Sequence, residues 1–186
     1  ELVRKPFYIM RHGETEMNAK QIAAGVTQTL LTENGKQQAL EAKKVFDRLP
    51  KTPSRIIITE LNRTLETAER ATGIDDEKFI IEPGLNEKNL GHMDGVADNE
   101  MYRHLHKHGA PVEGLEDPEL FYQRVLNSLN KHLKVSKASD DIPLFVNHSG
   151  TVRRAFRAAG LDASSMEIPN AAMLEFKPIG TTQWNV

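Results

Sequence analysis

The chain has 186 residues, 39% of them hydrophobic and 27% charged, a size and balance that bury one core and exclude a disordered chain. Twenty-four basic residues against 26 acidic ones leave a formal charge of −2, which argues against a basic surface for nucleic acid or an anionic membrane. No apolar run approaches the roughly 20 residues that span a bilayer, and the absence of cysteine excludes a disulfide framework, a thiolate nucleophile and a cysteine zinc site. No repeat, low-complexity tract or linker divides residues 1–186, so a single domain is expected, with a cytoplasmic location compatible with its cysteine-free composition. Glu1 is not an initiator residue, so the start of the chain says nothing of what precedes it.

In chain order, Lys5 to Arg11 encloses the apolar run Phe7, Tyr8, Ile9 and Met10, the pattern of a buried strand. Thr32 is placed to cap a helix with Ala39, Ala42, Val45, Phe46 and Leu49 on one face. Arg55 to Thr59 carries three consecutive isoleucines, a β-branched strand signal. Thr59 is expected to cap the following helix, with Leu61, Leu65 and Ala68 inward and Gly73 as its stop. Phe79 to Glu82 is a shorter strand. Asp117 before Pro118 combines a cap with proline in the first turn, opening a helix that buries Phe121, Val125, Leu129, His132 and Leu133. Ile142 to Asn147 is another buried strand, and Val152, Ala155, Phe156 and Ala159 give a helix ended by Gly160. Ala172 to Lys177 closes the sheet.

Continuous apolar strands alternating with helices predict the α/β class: a three-layer α/β/α sandwich with a mostly parallel central sheet. Ligands on such sheets bind beyond the carboxyl ends of the strands. That rule selects Arg11-His12, Asn62-Arg63 and His148-Ser149-Gly150. Two arginines and two histidines converging there suit a phosphoryl group, because guanidinium is planar, permanently charged and bidentate. The segments at Arg63 and at His148 open helices, whose free N–H groups favour anions. Gly13 and Gly150 leave room for close backbone approach.

Arg11-His12-Gly13-Glu14-Thr15, followed by Asn18, resembles the signature of the histidine phosphatase superfamily, the phosphoglycerate mutase-like group. Further matches follow in family order: Leu31-Thr32-Glu33, Gly35 and Gln38-Ala39; Thr59, Leu61, Arg63, Thr67 and Ala68; Leu85, Glu87, Gly91 and Gly95; Gly114, Glu116, Arg124 and Val125; Val146, His148, Gly150 and Val152. A lone Arg-His-Gly is a weak signal, whereas this ordered set is specific. The resemblance implies a phosphoglycerate mutase-like fold and a metal-independent phosphatase that needs no cofactor. His12 would be the nucleophile, with its second ring nitrogen held by a carbonyl such as that of Gly13. Arg11, Arg63 and His148 would bind the phosphoryl oxygens. Glu87 would be the acid, with Glu82 and Glu116 as alternative carboxylates. Asn18, Gly25, Ser149 and Gly150 complete the expected substrate contacts. Gln28, Leu30, Leu115 and Met17 depart from the family pattern, which bears on specificity rather than on the clamp.

The expected partner is a small phosphorylated metabolite, neither nucleic acid nor membrane, and a homodimer is compatible with the sequence. A cofactor-dependent phosphoglycerate mutase is the alternative. Mutases of the family tend to carry a longer insertion after the acid with paired basic residues, and here the stretch offers Arg103 and Arg124 but no adjacent pair. A non-catalytic phosphate-binding scaffold is the third reading, disfavoured because a binder needs neither nucleophile nor acid. His104, His106 and His108, near His92, suggest a metal pair at first sight. Without cysteine or an acidic triad a solvated lid helix is the better reading.

Overall fold

The computed structural model describes residues 1–103 and 111–186. His104, His106 and His108 lie outside that set, and so does the side chain of Arg103. The central sheet runs in the order β3-β2-β4-β1-β5-β6, from β1 (Phe7–Arg11), β2 (Ile56–Ile58), β3 (Ile80–Ile81), β4 (Leu144–Asn147), β5 (Met173–Ile179) and β6 (Gln183–Asn185). The first four are mutually parallel, β5 is added antiparallel to β1, and β6 pairs antiparallel with β5. The helices are α1 (Glu16–Ala19), α2 (Glu33–Phe46), α3 (Asn62–Thr72), α4 (Asp98–Arg103), α5 (Pro118–Lys137) and α6 (Ser149–Ala158).

Strand alternation builds two cores. Phe7 and Ile9 of β1, Ile57 and Phe145 face α5 and α6, where Val125, Leu129, Leu133, Val152 and Phe156 meet them. Tyr8, Met10, Ile56, Ile58, Leu144 and Val146 face the opposite way, against Ala42 and Phe46 of α2 and Ala68 and Ala71 of α3. Every residue of β2 and β4 is buried, which explains the unbroken apolar runs: a parallel strand covered on both faces has no polar side to show. Each such Ile or Phe contributes about 1.5–3 kcal/mol by leaving water. Phe7 stacks on Phe176 of β5 at 4.8 Å and meets Phe145 edge-on.

Helix limits follow the local chemistry with two corrections. Thr32 caps α2 by accepting from the Gly35 N–H, Asp117 caps α5 with Pro118 in its first turn, and Gly73 stops α3 at φ 68°. Thr59 does not cap α3. The N-cap is Leu61, without a side-chain bond, and the Asn62 N–H donates instead to Gln28, 34 residues back. Val45 is 51% exposed rather than on the inner face of α2. The edge strand β6, paired with β5, is an addition to the strands expected from the sequence.

A buried ionic group ties β3 to α5. Glu82 accepts from Lys131 at 2.6 Å and pairs with His132 Nε2 at 2.9 Å, and it also accepts from the Gly84 N–H. Burial opposes ionisation of Glu82, but these donors outweigh it and lower its pKa. No helix among the described residues is long and apolar enough to cross a membrane.

Candidate active site

The ends of β1, β2 and β4 bring together residues far apart in sequence. The His12 N–H donates to the Asn147 carbonyl of β4, and the His12 carbonyl accepts from Ala171 beside β5. This fixes the backbone of a residue that has already left the strand. His12 Nδ1 lies 2.7 Å from the Gly13 carbonyl. A carbonyl can only accept, so Nδ1 carries the proton and the neutral ring presents its lone pair at Nε2. The ring is buried, and His148 lies with its centroid 5.4 Å away.

The loop after His12 is clamped by two helices. The Gly13 N–H donates to Thr67 of α3 at 3.0 Å, and Glu14 is bonded through its N–H to Gln38 and through its carboxylate to Thr32 at the start of α2. A Cβ on Gly13 would stand 2.5 Å from the Gly35 carbonyl, and one on Gly35 would stand 2.0 Å from that of Glu14. Both positions therefore require glycine on steric grounds. Thr15 caps α1 in a reciprocal box with Asn18. Asn18 Oδ1 is occupied by the Thr15 N–H and by Asn170, so its amide nitrogen is the group left to donate.

Arg63 is 1% exposed. Its two terminal nitrogens donate to the Thr27 and Gly25 carbonyls at 3.0 and 2.7 Å, while Nε is buried with no partner among the described residues. Gly25 is thus brought to the site as a support for Arg63; its N–H is taken by Asp94. Arg11 donates through one terminal nitrogen to the Ile168 carbonyl, and its Nε is likewise buried with no partner among the described residues. His148 Nε2 meets Thr59 Oγ1 at 3.0 Å, and Nδ1 has no partner among the described residues. Thr59 thus belongs beside a site histidine, which its reading as a helix cap had missed.

Glu87 reaches this group from the other side. One carboxylate oxygen accepts from the Gly150 N–H at 2.9 Å in the first turn of α6, the other from the Lys88 N–H. The first turn of that helix therefore holds a carboxylate, as its unpaired N–H groups favour. Ser149 begins the same helix. The alternative carboxylates are engaged elsewhere: Glu82 in the ionic group described above, and Glu116 in a two-pronged pair with Arg124 at 2.6 and 2.8 Å. Arg124 also donates to the carbonyls of Gly84, Asn86 and Glu87, so the pair holds the backbone that presents Glu87.

Burial, reinforced by the Arg63 and Arg11 charges, holds His12 down at about 3. Burial and the same arginines push His148 well below the ordinary histidine range. Burial also lowers Arg63 to about 10, against the pull of Glu87 and Asp94, which leaves it a cation at neutral pH. The centre thus combines a neutral nucleophilic imidazole, two desolvated guanidinium groups and a carboxyl group. Such an arrangement can receive a tetrahedral anion and attack it. Among the described residues no group of three His, Asp or Glu side chains is placed to hold a metal ion.

The family model described as histidine phosphatase superfamily, branch 1, matches residues 7–184. The chain is 30% identical to an agropine synthesis reductase of Rhizobium rhizogenes over 97% of its own length, which is 41% of that protein. It therefore spans about two-fifths of the first curated relatives it matches. It is 31% identical to the "Probable phosphoglycerate mutase GpmB" of Cronobacter sakazakii, with 76% of this chain and 68% of that protein covered. Among solved structures, the α-ribazole phosphatase from Shigella flexneri superposes with a TM-score of 0.75 at 23% identity, covering 98% of this chain and 94% of that one.

Proposed function

The chain belongs to branch 1 of the histidine phosphatase superfamily, and from that membership we propose that it is a metal-independent phosphomonoesterase working through a phosphohistidine at His12. The observation that carries this reading is the Nδ1–H bond to the Gly13 carbonyl, which leaves Nε2 of a neutral ring free to attack.

In the first step the Nε2 lone pair forms a bond to phosphorus as the ester P–O bond breaks. The leaving oxygen takes the proton of the Glu87 carboxyl. Arg11, Arg63 and His148 hold the phosphoryl oxygens, with Asn18 donating a further bond, so the developing charge meets donors already in place. In the second step the Glu87 carboxylate takes a proton from water, whose oxygen bonds phosphorus as the P–Nε2 bond breaks. Inorganic phosphate leaves, and both side chains return to their starting state.

One feature favours hydrolysis over a mutase reaction: Arg124, a candidate for binding a substrate carboxylate, is spent on Glu116 and the 84–87 backbone. The test is turnover of 4-nitrophenyl phosphate in excess chelator, without a bisphosphorylated primer. His12→Ala should lower kcat by on the order of 1,000-fold or more. Turnover abolished by chelator, strict need for a primer, or full activity in His12→Ala would each overturn the reading.

A further inference from the structure

The backbone of His12 and the side chain of Asn18 are joined by one amide that belongs to none of the sequence motifs of the site. Asn170 Nδ2 lies 3.1 Å from the His12 carbonyl and 3.3 Å from Asn18 Oδ1. The roles of these atoms are forced. The Thr15 N–H can only donate, so the Asn18 atom that it meets at 3.1 Å is the oxygen. The His12 carbonyl can only accept. Asn170 therefore presents its NH2 group, with one hydrogen for each oxygen. A single planar group of fixed size thus spans the loop of the nucleophile and α1.

The chain accepts backbone strain beside this residue. Residues 169–172 form a turn closed by the Ala172 N–H on the Pro169 carbonyl at 3.2 Å, and its third residue, Ala171, has φ 59°. That left-handed position normally calls for glycine. Another residue is kept there where its surroundings over-determine the backbone. Here the Ala171 N–H is bound to the His12 carbonyl at 3.1 Å, and the Ala172 carbonyl takes the Arg11 N–H at 3.0 Å. The His12 carbonyl therefore has two donors and keeps one if the Asn170 amide is removed. Asn18 has no such reserve. Without Asn170, one N–H alone opposes rotation of its amide about a terminal torsion that is broad and two-fold. The rotated amide turns its oxygen, not its nitrogen, toward a phosphoryl group.

We propose that Asn170 is a positioning residue that acts through Asn18, holding that amide with its nitrogen toward the phosphoryl oxygens. This rests on the phosphatase reading for the task given to Asn18. Two substitutions separate hydrogen bonding from packing. Asn170→Asp keeps the shape but has no proton to donate when ionised, and it sets a carboxylate against two acceptor oxygens. Asn170→Ala leaves only a gap. At pH 8, kcat/KM for 4-nitrophenyl phosphate should fall about 10-fold in Asn170→Ala, the scale of one neutral hydrogen bond, and about 100-fold in Asn170→Asp, where the Asn18 amide is driven to turn. A packing role predicts the reverse order, because Asp fills the space and Ala does not.

The same pair of substitutions is then made in Asn18→Ala. With no amide left to turn, the roughly tenfold difference between Asp and Ala at position 170 should shrink to about twofold or less. Thermal midpoints and near-ultraviolet circular dichroism show that each variant keeps its native core. Asn170→Asp no more impaired than Asn170→Ala, or a difference that persists undiminished in Asn18→Ala, overturns the proposal. If the wild type turns over no ester, the phosphatase reading fails. The positioning role is then decided by calorimetric titration of the same variants with vanadate, through the same order and the same collapse in Kd.

Discussion

Gly150 shows how one missing methyl group positions a carboxyl. A Cβ there would stand 2.1 Å from Glu87 Oε1, the flexible end of a side chain rather than backbone. Gly150→Ala should therefore cost little stability, because Glu87 swings aside, yet it should displace the acid. Turnover of an alkyl phosphate, whose alkoxide needs a proton, is expected to fall on the order of 100-fold in kcat. Turnover of 4-nitrophenyl phosphate, which leaves as a stable phenolate, should fall far less, with vanadate inhibition little changed. Equal losses on both esters would remove Glu87 from the acid role. At this scale the residue types of the clamp are readable in the sequence, because Arg, His and Gly at strand ends have few other uses in that combination. Thr59 was misread for the opposite reason: a hydroxyl before a helix is a generic cap signal. Nothing local reveals that its partner is His148, 89 residues away.

Among the elements, the loop of residues 25–27 is the mechanical support of Arg63. Asp94 accepts from the N–H groups of Gly25, Val26 and Thr27 at 2.9, 2.9 and 3.0 Å, and the Gly25 and Thr27 carbonyls accept from Arg63. The carboxylate thus fixes the loop from one side and the guanidinium from the other. Asp94→Ala leaves three N–H groups without their acceptor. We expect vanadate inhibition to weaken about 10-fold, with KM for aryl phosphate rising, since each charge-assisted bond is worth about 1.5–3 kcal/mol. Asp94→Asn keeps one acceptor oxygen and should fall between. Unchanged vanadate affinity in Asp94→Ala would show that Arg63 holds its place without the loop. Asp94 carries no sequence signal for this task, because an acidic residue between turns reads as solvated surface. The long helices were legible where cap and stripe agree, as in Asp117-Pro118 with Phe121, Val125 and Leu129. The stripe alone misplaced Val45, because a single apolar residue at the margin of a helix face can lie on either side of the boundary.

Across the whole molecule, the class and the parallel core were legible because strands covered on both faces cannot hide their apolar runs. The two antiparallel additions were harder. β5 was expected as a strand without its direction, and β6 is a three-residue edge with one partner, Pro178 and Gly180 beside it, and only Trp184 half-buried. The buried histidines make a claim on the stability of the entire fold. His12 has a native value of about 3 against an ordinary value of 6.5, through burial first and the Arg63 charge second, and His148 is shifted in the same direction. Below pH 6.5 the unfolded chain takes up a proton at each of these rings that the native state refuses. Stability is therefore complete above 6.5 and declines as pH falls toward the native value, by up to about 1.4 kcal/mol per pH unit for each histidine. Urea unfolding at pH 6 and pH 5 isolates the effect before most carboxylates titrate. Replacing His12 by Gln removes one such proton uptake, so the loss of stability between the two pH values should shrink by about 1 kcal/mol relative to the unmodified protein. Identical losses would mean that His12 takes up a proton in the native state as readily as in the unfolded chain. Burial would then not hold the ring neutral, and its Nε2 lone pair would be open for attack only around and above pH 6.5.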